Sequence, residues 1–223
     1  MPAQKVQEGT IPFNIAGTAS PCHTWFQITG EIKSAVPLIM IHGGPGAGHF
    51  DLSTLAPSLE RSGIPVICYD QVGCGNSSRI REKANDAAFW SFDLFSAEID
   101  NLVDYFGLRE SGFYIHGHSW GGMLASTYAS RRPRGLRRLV ISCSPASAEL
   151  YASEAERLFR ALPEVNDAVM RMDAEGKFDA LEYREACSAW LKRYFCRLEP
   201  WPEVLDECGK CFEKCTMFNL MYV

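Results

Sequence analysis

Gly117-His118-Ser119-Trp120-Gly121 sets a serine between two glycines at the spacing G-x-S-x-G. Such a pattern can turn a hydroxyl into an exposed nucleophile. When a strand runs into it and a helix leaves it, the turn is so tight that the serine backbone is strained and its side chain stands clear of the sheet. Glycine at both ends removes a Cβ that would clash there. The backbone N–H of Trp120, at the helix start, can then donate to the oxyanion formed when Ser119 attacks a carbonyl. Five residues alone are a common pattern, and their flanks supply the specificity: the apolar Phe113-Tyr-Ile-His116 precedes them, and a helical stretch from Met123 to Ser130 follows, stopped by Pro133.

A second donor is expected from His42-Gly-Gly-Pro-Gly46, directly after the apolar run that begins at Pro37. Glycine lets the backbone approach a substrate carbonyl closely. Gly44 is the expected oxyanion N–H, and Gly43 beside it is a substrate-binding candidate. A phosphate-binding loop is the competing reading. Against it, no Lys-Ser or Lys-Thr follows, and Gly44, Gly46 and Gly48 do not fit G-x-G-x-x-G.

A serine hydroxyl is too weak an acid to act without a base. The five histidines are His23, His42, His49, His116 and His118, and none follows the serine. His118 is expected to point away from the open side of Ser119, His116 to lie in the strand below, and His42 to be structural. His49 is the one expected near the mouth of a pocket.

Several elements must position these groups. Pro37–His42 and Pro65–Tyr69, the latter ending at Asp70, read as buried parallel strands, and Leu136–Ser142 as a further strand-like run. Trp25–Thr29 and Phe13–Ala16 read as short opening strands. Phe92, Phe95, Ile99, Leu102, Val103 and Phe106 recur at helical spacing with Glu98, Asp100 and Asp104 between them, an amphipathic helix closed by Gly107. Alternating strands and helices predict an α/β domain with a mainly parallel sheet over residues 1–145. From Ala146 to Val223 only helical stretches follow, such as Glu149–Leu162 and Tyr183–Phe195, so 146–223 is expected to form a separate helical subdomain.

Composition narrows the class. At 223 residues, 47% hydrophobic and 22% charged, the chain is globular. A net charge of −5 provides no field for a phosphate backbone, so nucleic acid is not an expected partner. The start of the chain has no apolar run behind a basic segment, and no apolar stretch approaches the roughly 18–20 residues of a membrane span. Nine cysteines without a signal segment predict reduced thiols in the cytoplasm. Cys208, Cys211 and Cys215 could be three metal thiolates, but their spacing also puts them on one helix face as small apolar residues. Core packing is the preferred reading, and no metal or cofactor is expected.

HGGPGAGH at 42–49, DQVGCGNS at 70–77 and GHSWGGML at 117–124 together resemble the proline iminopeptidase (prolyl aminopeptidase) family of α/β-hydrolases. The stretch Cys196-Arg-Leu-Glu-Pro-Trp-Pro202 is similar to the helical cap of that family. The resemblance implies an α/β-hydrolase core with a cap, and a serine hydrolase that releases N-terminal residues, often proline, from small peptides or amides with a free N-terminus. Ser119 would be the nucleophile and the Gly44 and Trp120 N–H groups would hold the oxyanion. Acidic cap residues would pair with the substrate amine, for which Glu199 and Glu203 are local candidates. In that family a GPSEF-like segment and further strands carrying the triad Asp and His follow the cap. Neither triad partner is found here, so the chain is expected to be truncated before the final strands and to lack its base. A natural short form completed by a partner and a rewired enzyme compete with truncation. An esterase, amidase or lactonase of small metabolites, or a catalytically silent binding protein, are the alternative functions. Oligomeric state is left open.

Overall fold

The computed structural model describes residues 5–177 and 180–216. Six strands form one sheet in the order β1-β2-β4-β3-β5-β6: β1 (Val6–Phe13), β2 (Cys22–Thr29), β3 (Leu38–Ile41), β4 (Val66–Asp70), β5 (Phe113–His118) and β6 (Leu136–Ser142). β1 pairs antiparallel with β2 and β2 antiparallel with β4, while β4, β3, β5 and β6 run parallel. The parallel part therefore delivers Ile41, Asp70, His118 and Ser142 to one edge. In an open α/β sheet this edge, at the carboxyl ends of the strands, is where ligands bind.

The helices are α1 (Phe50–Ser53), α2 (Ala56–Arg61), α3 (Phe92–Tyr105), α4 (Leu108–Ser111), α5 (Trp120–Ser130), α6 (Ala148–Arg160), α7 (Pro163–Ala174), α8 (Leu181–Tyr194) and α9 (Glu203–Glu213). α3 starts where the Ser91 side chain accepts the Leu94 N–H, and it lays Phe95, Ile99, Leu102 and Val103 into the main core with Ile39, Ile67 and Ile115. Glycine ends it, for Gly107 takes φ 66, a left-handed conformation that costs glycine nothing.

Three expectations change. The first strand is Val6–Phe13, not Phe13–Ala16. Only Ile11 and Phe13 of this edge strand are buried, so its sequence carries little apolar signal. Glu98, expected on the polar face of α3, is fully buried and reaches Thr24 and the Val72 N–H. The third concerns the C-terminal region. The chain divides into two compact units, one running to Ser144 and resuming at Val204, the other Pro145–Glu203. The helical subdomain expected over 146–223 is thus shorter, because α9 buries Cys208 and Cys211 and the latter joins the main core.

The second unit has a small core of its own. Val165 and Ala168 of α7 meet Ala186 of α8, and the Phe159 and Trp190 rings stack at 4.9 Å.

Candidate active site

The turn between β5 and α5 has the geometry its sequence demands. Ser119 sits at φ 54 and ψ −122, half-buried, with its N–H donating to the Ser142 carbonyl at 2.9 Å and its own carbonyl accepting from Gly122. A non-glycine residue at positive φ stores strain that the surroundings must impose. Here the imposition is visible. A Cβ on Gly117 would collide with the Gly121 backbone, and one on Gly121 would reach within 2.5 Å of the His42 carbonyl oxygen as well as striking that of Ile41. Helix α5 can start directly against the end of β3 only because both positions are glycine.

The glycine loop lies against this turn. A Cβ on Gly43 would come 2.9 Å from Ser119 Cβ, so Gly43 is the residue that brings the loop to the serine. Gly44 follows at φ 120, where a side chain would meet the Gly46 N at 2.5 Å and the Phe212 ring of α9 at 2.8 Å. Trp120 is the first residue of α5, so its N–H has no acceptor within the helix. Its indole is buried, stacked on Phe92 at 5.7 Å and edge-on to Phe95 at 5.1 Å.

His42 organises the loop from beneath. Burial holds its imidazole below the usual histidine range, hence neutral. Nε2 accepts the Gln71 N–H at 3.1 Å, so Nδ1 carries the proton and donates to the Gly43 carbonyl at 2.9 Å. The loop of residues 70–77 wraps around Asp70. Its Oδ1 accepts both the N–H and the Nδ1–H of His49 at 2.8 Å, and its Oδ2 accepts the Asn76 N–H at 2.8 Å. Burial works against this carboxylate, but the His49 and Asn76 hydrogen bonds and the nearby His42 hold it below the usual range. Gly75 must be glycine, because a Cβ there would overlap the Asp70 carboxylate.

The other histidines are also engaged. His49 is buried between Trp25 and Phe50, at ring distances of 4.3 and 4.4 Å, so it is a clamp between two loops and not a residue of a pocket mouth. His116 Nε2 meets Ser142 Oγ at 2.7 Å, His118 Nδ1 lies 3.5 Å from an Asp51 carboxylate oxygen, and His23 Nδ1 accepts from Ser78 Oγ. Among the described residues, no hydrogen bond joins a histidine ring to Ser119.

The structure thus brings Ser119, Trp120 and Gly43 together, with Gly44 next along the loop. Glu199 and Glu203 lie in the second unit. Glu199 faces solvent, 3.5 Å from the Lys192 ammonium, and Glu203 is the exposed first residue of α9. Among the described residues no group of three or more His, Cys, Asp or Glu side chains is placed to hold a metal ion. Sequence reasoning missed the Asp70–His49 clamp. Its only trace is the acid that ends β4 and the histidine that closes the glycine motif, both polar residues beside buried runs.

Residues 36–188 match the alpha/beta hydrolase fold family. Proline iminopeptidases of Lactobacillus delbrueckii subsp. bulgaricus and Heyndrickxia coagulans are 35% and 33% identical, over 79% and 88% of this chain. The chain spans 59% and 66% of the length of these two relatives. Among solved structures, VinJ superposes with a TM-score of 0.86 at 36% identity, covering 95% of this chain and 69% of that one. A proline iminopeptidase from Mycobacterium smegmatis superposes with 0.81 at 33% identity, covering 96% and 70%. Among the described residues, no helix is long and apolar enough to cross a membrane.

Proposed function

The chain belongs to the proline iminopeptidase family of α/β-hydrolases, and from that membership we propose that it acts as a serine aminopeptidase, releasing N-terminal proline and related residues from small peptides or amides. Ser119 Oγ attacks the scissile carbonyl and forms an acyl-enzyme, which water then hydrolyses. The Gly44 and Trp120 N–H groups receive the negative charge that develops on the carbonyl oxygen. Each such donor is worth about 3 kcal/mol in the transition state. Gly43 lines the approach to the carbonyl, and Glu199 and Glu203 are the candidates for the substrate's free amine. The first unit carries the nucleophile, and the helical residues of the second, Pro145–Glu203, serve as the cap.

The observation that carries this reading is the strained Ser119 at the start of α5, pressed against the glycine loop. Strain of about 1–3 kcal/mol persists where function requires a particular geometry. Four of the five histidines hydrogen bond to other partners and His118 Nδ1 lies nearest the Asp51 carboxylate, at 3.5 Å, so the proton acceptor for Ser119 comes from outside this set. Cysteines with no disulfide among them fit the cytoplasm.

Labelling with a fluorophosphonate, followed by peptide mapping, tests the nucleophile. Modification at Ser119, lost in Ser119→Ala, is expected. Residues 1–223 alone are expected to turn over proline arylamides no faster than background. Turnover that Ser119→Ala abolishes would show instead that one of the five histidines serves as the base.

A further inference from the structure

Three thiols of the first unit gather behind the glycine loop. Cys74 lies in the loop after β4, Cys211 on α9, and Cys215 two residues beyond that helix. The two segments are tied together by Thr216, whose N–H and hydroxyl both donate to the Gly73 carbonyl, at 3.0 and 3.1 Å. Cys74 and Cys211 are buried in the same core with their thiols in interaction range, and the Cys74 S–H donates to the Gln71 carbonyl at 3.3 Å. Cys74 Sγ also lies 3.5 Å from His42 Nε2.

The two sulfurs are electrostatically unlike. The Cys74 S–H, the Gly75 N–H and the Arg79 charge favour the thiolate of Cys211 and hold it below the usual range, against burial and Asp70. Burial pushes Cys74 well above it. A low-lying thiolate beside a protonated partner is the arrangement of an attacking and a resolving cysteine. Cys215 stands in the wall of a cleft of about 550 Å³, with Arg79, Arg81 and Lys214 around it and Glu213 as the opposing charge. That volume suits a small ligand, and the three cations suit one with several carboxylates.

We propose that Cys74 and Cys211 are a redox-active dithiol, closed to a disulfide by an anionic low-molecular-weight disulfide of the glutathione class that enters this cleft and reacts first at Cys215. The Cys215 thiolate attacks one sulfur of the small disulfide, forming a mixed disulfide and expelling one thiolate. The Cys211 thiolate attacks Cys215 Sγ and expels the second. Cys74 then attacks Cys211 Sγ, its proton passing to the departing Cys215 sulfur, which returns to the thiol. Two protein thiols are oxidised and one small disulfide is reduced to two thiols, with no other reactant. The product staples α9 to the 70–77 loop. Because Phe212 and Cys215 lie against Gly44 and Gly46, the staple also fixes the loop beside Ser119.

The test uses the reduced whole chain, treated with oxidised glutathione, quenched with an alkylating agent and digested with trypsin without reduction. Cleavage after Lys210 and Lys214 separates Cys211 from Cys215, and Cys74 lies on the peptide from Ser62 to Arg79. A crosslink between the Cys74 and Cys211 peptides, lighter by two hydrogens than their sum, is expected. It should form at least about tenfold more slowly in Cys215→Ala, since exchange rates follow access to the attacking thiol. Recovery of Cys74 and Cys211 as thiols beside a lasting glutathione adduct on Cys215 would overturn the dithiol. An equal rate in Cys215→Ala would overturn the entry route.

Discussion

Strands β4 and β6 are both short, each runs parallel to the strand on its β5 side, and both end at the edge that carries Ser119. β4 is buried along its whole length, whereas β6 leaves Val140 52% and Ile141 48% exposed. The difference is position. β4 lies between β2 and β3, while among the described residues β6 pairs with β5 alone. Around β4 the buried ionisable groups find fixed partners: Asp70 organises two loops, and Glu98 and His42 are locked beneath them. On the β6 side Ser119 depends on one backbone hydrogen bond to Ser142. Among the described residues, the buried polar contacts around the site therefore concentrate on the β3 and β4 side.

The hardest blow to that side is Gly121→Val. The side chain would be driven into the Ile41 and His42 carbonyls, so the chain is expected not to fold, with the cooperative circular dichroism melt lost. A native-like melt would mean that α5 can withdraw from β3 freely. Next comes the direct contrast between the strands. Ile67→Ala on β4 should cost about 3–4 kcal/mol in urea unfolding, as a fully buried aliphatic truncation does, and Ile141→Ala on β6 about 1 kcal/mol or less. Equal costs would erase the distinction. Asp70→Asn should lower stability by about 3 kcal/mol, because an amide cannot accept from His49 and Asn76 together without a donor facing a donor. A loss near zero would show that the two loops hold each other without the carboxylate.

The gentlest effect is a slope. Burial raises Glu98 to about 8, despite opposing hydrogen bonds from Thr24 and Val72, so the folded chain keeps a proton that the unfolded chain releases. Stability is then full below the ordinary glutamate range and declines as pH rises from there toward 8. Glu98→Gln should flatten that decline, measured as unfolding free energy against pH. An unchanged slope in the variant would assign the dependence to another group.

Much of this architecture is legible in the chain itself. β3 and most of β4 are continuous apolar runs, β5 opens on one and β6 carries Leu139-Val-Ile141 behind two arginines, while the glycines at 117 and 121 announce a tight turn by their spacing around the serine. Less legible are features that depend on what covers a residue. Edge strand β1 buries only alternate positions near its end, so the apolar signal points to Phe13–Ala16 while the strand occupies Val6–Phe13. Glu98 sits at a polar position of an amphipathic pattern and is nonetheless enclosed, because its carboxyl group finds Thr24 and the Val72 N–H. Spacing places the cysteines at 208 and 211 on one helix face, but does not tell which body that face joins.

The family, the candidate serine and the need for glycine around it were legible in the sequence itself, because backbone strain and helical or strand periodicity are local properties of a few adjacent residues. Only the tertiary structure decided that Asp70 clamps His49, that α9 belongs with the core, and that Cys74 meets Cys211 across more than a hundred residues of chain. Each of those is a contact between distant segments, and its physics of desolvation, charge and thiol pairing does not exist until the segments meet.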